Sequence, residues 1–275
     1  MSKIGLGIIT CNRQNFYENC IKSVVPCPLD EIVTINDGKP YDMQSPRGHY
    51  IQHKDNKGVG VSKNEALKYL IDKGCDHLFL IEDDIIIADA KVFVKYIHTA
   101  ATTGLWHLMF GYHGPANKDE DKKPTPRMGV TYTSECEVSF NPNCVGAFCY
   151  YHKGVINNAG YMDEKFKNAW EHVEHSYRIV KMGLLPAYWW WPDVTNSFKY
   201  LHEQACSEES STIRWEDSEK KIPKKDWMDN IQSGGKYFHE KHGFYPTSVP
   251  DTPQEEVTEK LKFIKQSYSR DVNTL

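Results

Sequence analysis

The stretch Leu78-Phe79-Leu80-Ile81-Glu82-Asp83-Asp84 decides how the chain is read. Four consecutive apolar residues have the length and character of a buried strand, and three adjacent carboxylates end it. Neighbouring like charges repel, so such a triplet serves packing badly. At the carboxyl end of a strand in an open α/β sheet it lies where ligands bind. Carboxylates there suit a hard cation such as Mg²⁺ or Mn²⁺, which in turn holds a diphosphate. The bland alternative is an acidic turn that caps the next helix through its dipole.

Outward from this stretch, short apolar runs alternate with helical spacing. Residues 4–9, 31–35, 105–110 and 145–151 read as further strands. Residues 15–25 read as a helix with Phe16, Cys20, Ile21 and Val24 on one side, and residues 61–71 as another with Val61, Leu67, Leu70 and Ile71 inward. Val92, Phe93, Tyr96, Ile97 and Ala100 have helical spacing, as do Val173, Tyr177 and Val180 within 171–182. Strand–helix alternation predicts an α/β fold with a parallel sheet covered on both faces. Residues 111–131 are polar and read as a long functional loop. Residues 203–250 are polar with several Pro and Gly, and 253–268 read as an amphipathic helix through Val257, Leu261 and Ile264. The expected division is a catalytic domain over 1–202 and an extension over 203–275 that packs on it.

Composition narrows the class. The 275 residues are 40% hydrophobic and 25% charged, which excludes a disordered chain, a collagen-like fibre and a low-complexity array. Asp plus Glu is 37 against 33 Lys plus Arg, a net charge of −4, so bulk charge does not make the chain a general polyanion binder. No apolar run reaches the 18 or so residues of a membrane span. Cysteines stand at 11, 20, 27, 75, 136, 144, 149 and 206 with no C-x-x-C pair, which argues against a zinc ribbon. The expectation is a cytoplasmic protein with reduced thiols.

Three more polar clusters sit at strand ends or helix starts: Thr10-Cys11-Asn12-Arg13, Asn36-Asp37-Gly38, and Asn56-Lys57-Gly58-Val59-Gly60-Val61-Ser62-Lys63-Asn64. Gly58 and Gly60 do not complete a G-x-G-x-x-G fingerprint, because position 63 is Lys, and no Walker lysine motif is present. Lys63 in a helix's first turn either meets a phosphate or is simply solvated. In this order, followed by Glu82-Asp83-Asp84, the clusters resemble the inverting family 2 glycosyltransferases with the GT-A fold. Val145-Gly146-Ala147-Phe148, residues 155–166 and the stretch from Trp170-Glu171-His172 to Arg178 resemble that family's later motifs. The resemblance covers about residues 3–202, and its specificity lies in the ordered combination rather than in any one motif.

The resemblance implies a GT-A fold, a nucleotide-diphosphate sugar donor (a UDP-sugar), Mn²⁺ or Mg²⁺, and a hydroxyl acceptor on a glycan, a lipid-linked sugar or a similar molecule. It implies donor contacts from Thr10, Asn12, Arg13, Asp37, Asn56, Gly58, Lys63, Asp83 and Gly146, and metal ligation by Glu82, Asp84 and His202. Three residues depart from the family pattern: Asn36 for the first Asp of the nucleotide turn, Glu82 for the first Asp of D-x-D, and His172 where the family carries its general base. An inverting transfer needs one base to take the acceptor proton. His172 has a suitable ordinary pKa, and Glu171 beside it is the other candidate.

Other readings compete. One acceptor variant is a hydroxymethylated base in DNA, as for some bacteriophage enzymes, with the base exposed or flipped. Sugar-phosphate nucleotidyl transfer needs a Gly-rich turn after the first strand, where this chain has Thr10-Cys11-Asn12-Arg13. A non-catalytic sugar-nucleotide-binding module is permitted by the altered Glu171-His172 pair. The run Trp189-Trp190-Trp191 either stacks on a sugar ring or fills the core. The run of Lys220, Lys221, Lys224 and Lys225 reads as a solvated face.

Overall fold

A computed structural model describes residues 2–42, 48–205, 210–211 and 213–269. Cys206 lies outside the described residues, and the other seven cysteines are free thiols. In chain order the first half comprises β1 (Lys3–Thr10), α1 (Gln14–Val24), β2 (Glu31–Asn36), β3 (His49–Gln52), α2 (Val59–Asp72), β4 (Cys75–Glu82), β5 (Ile85–Ile87), α3 (Lys91–Thr103) and β6 (His107–Met109). The second half comprises β7 (Met128–Thr133), β8 (Cys136–Asn141), β9 (Phe148–His152), α4 (Lys153–Ala159), α5 (Glu171–Lys181), β10 (Trp191–Val194), β11 (Leu201–Glu203), β12 (Trp215–Asp217), β13 (Ile222–Pro223), α6 (Lys225–His242) and α7 (Gln254–Tyr268).

The central sheet has the order β3-β2-β1-β4-β9-β6. The β1, β2, β3 and β4 pairings are parallel, while β9 runs antiparallel to both β4 and β6. The sheet is therefore mixed but mostly parallel. Its central strands are near-continuous buried runs, such as Leu78 to Ile81 in β4, as expected of strands covered on both faces. Register sets the site. Ile9 pairs with both Ile35 and Glu82, and Thr10 with Asn36. The strand ends that carry Thr10, Asn36 and Glu82 are thereby level.

Several expectations change in detail. The 111–131 loop ends in the hairpin of β7 and β8, which β10 extends to a three-stranded sheet. The buried residues of α1 are Tyr17, Cys20 and Val24, not Phe16 and Ile21. Helix α5 buries Glu174, His175 and Ser176 beside Val173 and Ile179, so its inner face is largely polar. Helix α6 lay hidden in a polar stretch interrupted by Gly234-Gly235, a pair that opposes helix. Gly234 is there for space: a Cβ would stand 2.9 Å from Trp170 Cδ1. The tryptophan run belongs to the core. Trp191 is fully buried, Trp190 lies 3.9 Å beneath the Arg127 guanidinium, and Trp189 Nε1 donates to the Val249 carbonyl at 2.7 Å. Among the described residues no helix is long and apolar enough to cross a membrane.

Helix α7 packs on α3 through buried Val257, Leu261 and Ile264. Trp106 Nε1 donates to the Tyr268 carbonyl at 3.1 Å. Gly104 closes α3 at φ 77°, and a Cβ there would meet the Ile264 carbonyl oxygen at 2.5 Å. Gly104→Ala combines a left-handed backbone with that clash, so it is expected to cost about 1–3 kcal/mol. Urea unfolding measures it, and an unchanged midpoint would show that α7 does not dock as described.

Candidate active site

A cleft of about 690 Å³ opens over the level strand ends. Its lining includes Thr10, Arg13 and Asp37 from the first two strand ends, Glu82, Asp83 and Asp84 from the end of β4, Gly146, and Glu171 and His172 from the start of α5. The segment 113–116 and residues Arg214, Trp227 and Ile231 complete it.

Taking the carboxylates out of water costs free energy unless cations or donors meet them. The Arg13 guanidinium pairs with Asp83 and, at 3.3 Å, with Asp84 Oδ2. Thr10 Oγ1 donates to Asp83 Oδ2 at 2.5 Å. His113 Nε2 lies 3.4 Å from Asp84 Oδ2. Burial raises the Asp83 carboxyl against the pull of Arg13, and the adjacent Asp84 adds to the rise. Burial also opposes ionisation of Asp84, but His113 and Arg13 outweigh it and hold that carboxyl low. Asp84 Oδ1 is buried and has no hydrogen-bond partner.

Asp37 is clamped differently. Its carboxylate accepts from the backbone amides of Lys57 at 2.7 Å and Gly58 at 2.8 Å, and His53 Nδ1 lies 2.6 Å away. Asn56 Nδ2 donates to the Asp37 carbonyl at 2.8 Å. Asn12 Oδ1 accepts from the Lys39 amide at 2.8 Å. Asn12, Asn56 and Gly58 thus hold the loops around Asp37, and none of the three lines the cleft. Asn36 fills its buried position through Nδ2 bonds to the Lys39 carbonyl, the Tyr50 hydroxyl and Gln52 Oε1.

Two further sequence expectations need correction. Lys63 is neither solvated nor in the cleft; it is 1% exposed, and its ammonium lies among protein acceptors. His202 is exposed on β11, opposite Ile86 of β5, and does not line the cleft. The histidine beside Asp84 is His113, which no local pattern in 111–131 marked. Its loop is pinned from afar: Glu203 accepts from the Gly114 amide at 2.7 Å, and Asn117 Nδ2 donates to the Gly111 and Asn143 carbonyls. Among the described residues no three or more His, Cys, Asp or Glu side chains gather as a complete metal-binding set. A cation here would rely on Asp84 with oxygen ligands from elsewhere.

At the other part of the cleft, Glu171 Oε1 lies 2.9 Å from His172 Nδ1. Burial would raise the Glu171 carboxyl, yet the adjacent His172 ring and the Lys63 ammonium hold it down at about 2. A carboxylate only accepts, so in this contact Nδ1–H donates to Glu171 Oε1, and Nε2 is the ring nitrogen that makes no bond to Glu171. Gly146 gives the ring its room: a Cβ would stand 2.7 Å from His172 Cγ. Beneath α5, His107 Nδ1 bonds the Tyr150 carbonyl and Nε2 lies 3.0 Å from Ser176 Oγ.

No family model matches the sequence. Over 167 residues the chain is 26% identical to an uncharacterized glycosyltransferase of Acanthamoeba polyphaga mimivirus, a match covering 59% of this chain and 60% of that protein. The chain thus spans about 60% of the length of this curated relative. Among solved structures, GalNAc-T7 with UDP, GalNAc and Mn²⁺ has a TM-score of 0.55 at 11% identity, over 98% of this chain and 59% of that one. A mannosyltransferase from Pyrobaculum calidifontis with GDP-Man and Mn²⁺ scores 0.53 at 9% identity, over 98% and 70%. TarS from S. aureus with UDP-GlcNAc scores 0.51 at 13% identity, over 97% and 81%. The chain has the fold of these enzymes, the GT-A fold.

Burial lowers His107 from 6.5 to about 4. A depressed pKa contributes stability that is present above about pH 6.5 and is lost as pH falls through about 4. His107→Gln removes that one proton uptake on unfolding. Its stability should fall with acid less steeply than wild type, by up to about 1.4 kcal/mol per pH unit. Urea midpoints at several pH values measure this, and parallel slopes would contradict it.

Proposed function

We propose that the chain is an inverting glycosyltransferase that moves a sugar from a UDP-sugar to an acceptor hydroxyl. The observation that carries this is a Glu171–His172 dyad in the same cleft as the carboxylate cluster at the end of β4. His172 Nε2 takes the acceptor's proton as that oxygen attacks the anomeric carbon. The bond from that carbon to the diphosphate breaks, and the diphosphate leaves with its electron pair. Glu171 keeps Nδ1 protonated and balances the charge that His172 acquires. No covalent intermediate is needed, so one base suffices. The GT-A fold and the likeness to an uncharacterized glycosyltransferase support glycosyl transfer from a nucleotide sugar, and the dyad carries the assignment of inversion.

Asp84 is the residue that fits a divalent cation, because its Oδ1 is buried with no hydrogen-bond partner. A single carboxylate oxygen with diphosphate and water is ordinary Mg²⁺ chemistry. When bound, the cation supplies Lewis-acid stabilisation to the departing diphosphate. Arg13 keeps Asp83 and Asp84 together. The acceptor is a glycan or similar hydroxyl rather than duplex DNA, because the net charge of −4 gives the chain no bulk attraction for a polyanion.

Release of UDP from a panel of UDP-sugars tests the reading. His172→Ala should lower kcat about 10²–10⁴-fold. Asp84→Ala should abolish the rise in melting temperature that UDP with Mn²⁺ gives the wild-type chain. Undiminished turnover in both variants would sink the proposal.

A further inference from the structure

Lys63 was expected to meet a phosphate, yet the fold uses it elsewhere. It lies on α2 with 1% of its surface exposed. A buried ammonium is tolerated only when its donors are met. Three acceptors meet them: Glu82 Oε1 at 2.8 Å, Glu171 Oε1 at 3.4 Å and the Gly146 carbonyl at 3.1 Å. An ammonium has three protons, so the group is fully used. Burial opposes its charge, but Glu82 and Glu171 outweigh that and hold it protonated.

The three acceptors are not equivalent. Glu82 opens the carboxylate cluster at the end of β4. Glu171 Oε1 is the same oxygen that meets His172 Nδ1. Gly146 is the residue whose missing Cβ makes room for the His172 ring. One side chain therefore touches the donor-side acid, the partner of the imidazole and the backbone against which the imidazole lies.

We propose that Lys63 is a positioning residue for the transfer: its buried ammonium fixes the Glu171–His172 dyad at a set distance from the carboxylates of β4. This rests on the reading of His172 as the base. Lys63 itself touches neither donor nor acceptor. Without it, Glu171 keeps His172 alone as a charge partner, and nothing ties the dyad to Glu82.

The test is a cycle of wild type, Lys63→Met, His172→Ala and the double variant. It is read by UDP release from the same panel of UDP-sugars and by UDP affinity from calorimetry. Lys63→Met should lower kcat about 10²-fold, the scale for a slightly misplaced catalytic group. UDP affinity should change by less than about threefold, because uniform binding is untouched. In the His172→Ala background the same substitution should cost less than about threefold, since residues acting as a unit are non-additive. A full second loss there shows general damage and overturns the proposal, and so does a parallel fall in UDP affinity. If circular dichroism shows Lys63→Met unfolded, Lys63→Gln, which removes the charge but keeps a hydrogen-bond donor, passes through the same cycle under the same criteria. A wild-type chain that releases no UDP overturns the enzymatic reading and this proposal with it. A wild-type chain that turns over beside an equally active Lys63 variant overturns this proposal alone.

Discussion

Negative charge withdrawn from water is the constraint around which the cleft is built. Asp37, Asp83, Asp84 and Glu171 are all buried, and Glu82 is partly so. A lone ion in such a place costs several kcal/mol even after relaxation. The chain meets this in two ways. Arg13 and Lys63 bring cations from neighbouring elements to the ends of β4 and α5. Asp37 instead receives two backbone amides and His53. The first device joins acids of different elements, whereas the second commits its carboxylate to holding a loop. Among these acids only Asp84 keeps a buried oxygen without a hydrogen-bond partner.

Helix α5 carries the dyad, and polar rather than apolar contacts seat it. Glu174, fully buried, receives Arg178 from its own helix and Lys241 and His242 from α6. Arg178 also donates to the Ala159 and Tyr161 carbonyls. Trp170, just before the helix, donates to the Ile231 carbonyl at 3.0 Å and packs on Gly234. Helix α6 is thus tied to the start of α5. Hydrogen bonds fix direction as well as distance, so this seating orients His172 more closely than an oily interface would.

The fold was legible because its signals are local. Buried strands such as 78–81 declare themselves by composition, and polar residues at their ends stand out against it. Helix α7 was legible from Val257, Leu261 and Ile264 alone. The misses share another cause. Lys63, His113 and the polar face of α5 take their character from partners distant in sequence, such as Glu171 for Lys63 and Glu203 for the loop of His113. Nothing within a few residues of these side chains encodes such partners. Helix α6 was obscured because Gly234 answers to Trp170 rather than to helix propensity. His202 was placed by analogy with a motif, and the pairing of β11 with β5 turned it outward.

The order of the central sheet carries a temporal consequence. Strand β9 sits between β4 and β6, though it is made after both. Until residues 148–152 emerge, the β4 edge has no partner on that side, and β6 has no neighbour in the sheet at all. Closing the span between β6 and β9 costs little extra entropy for its length, but the pairing is non-local and such pairings form slowly. Gly146 immediately precedes β9, so the floor beneath His172 is assembled with that last insertion. During synthesis, the strand ends that carry Thr10, Asn36 and the carboxylates of β4 emerge before the start of α5 that carries the base.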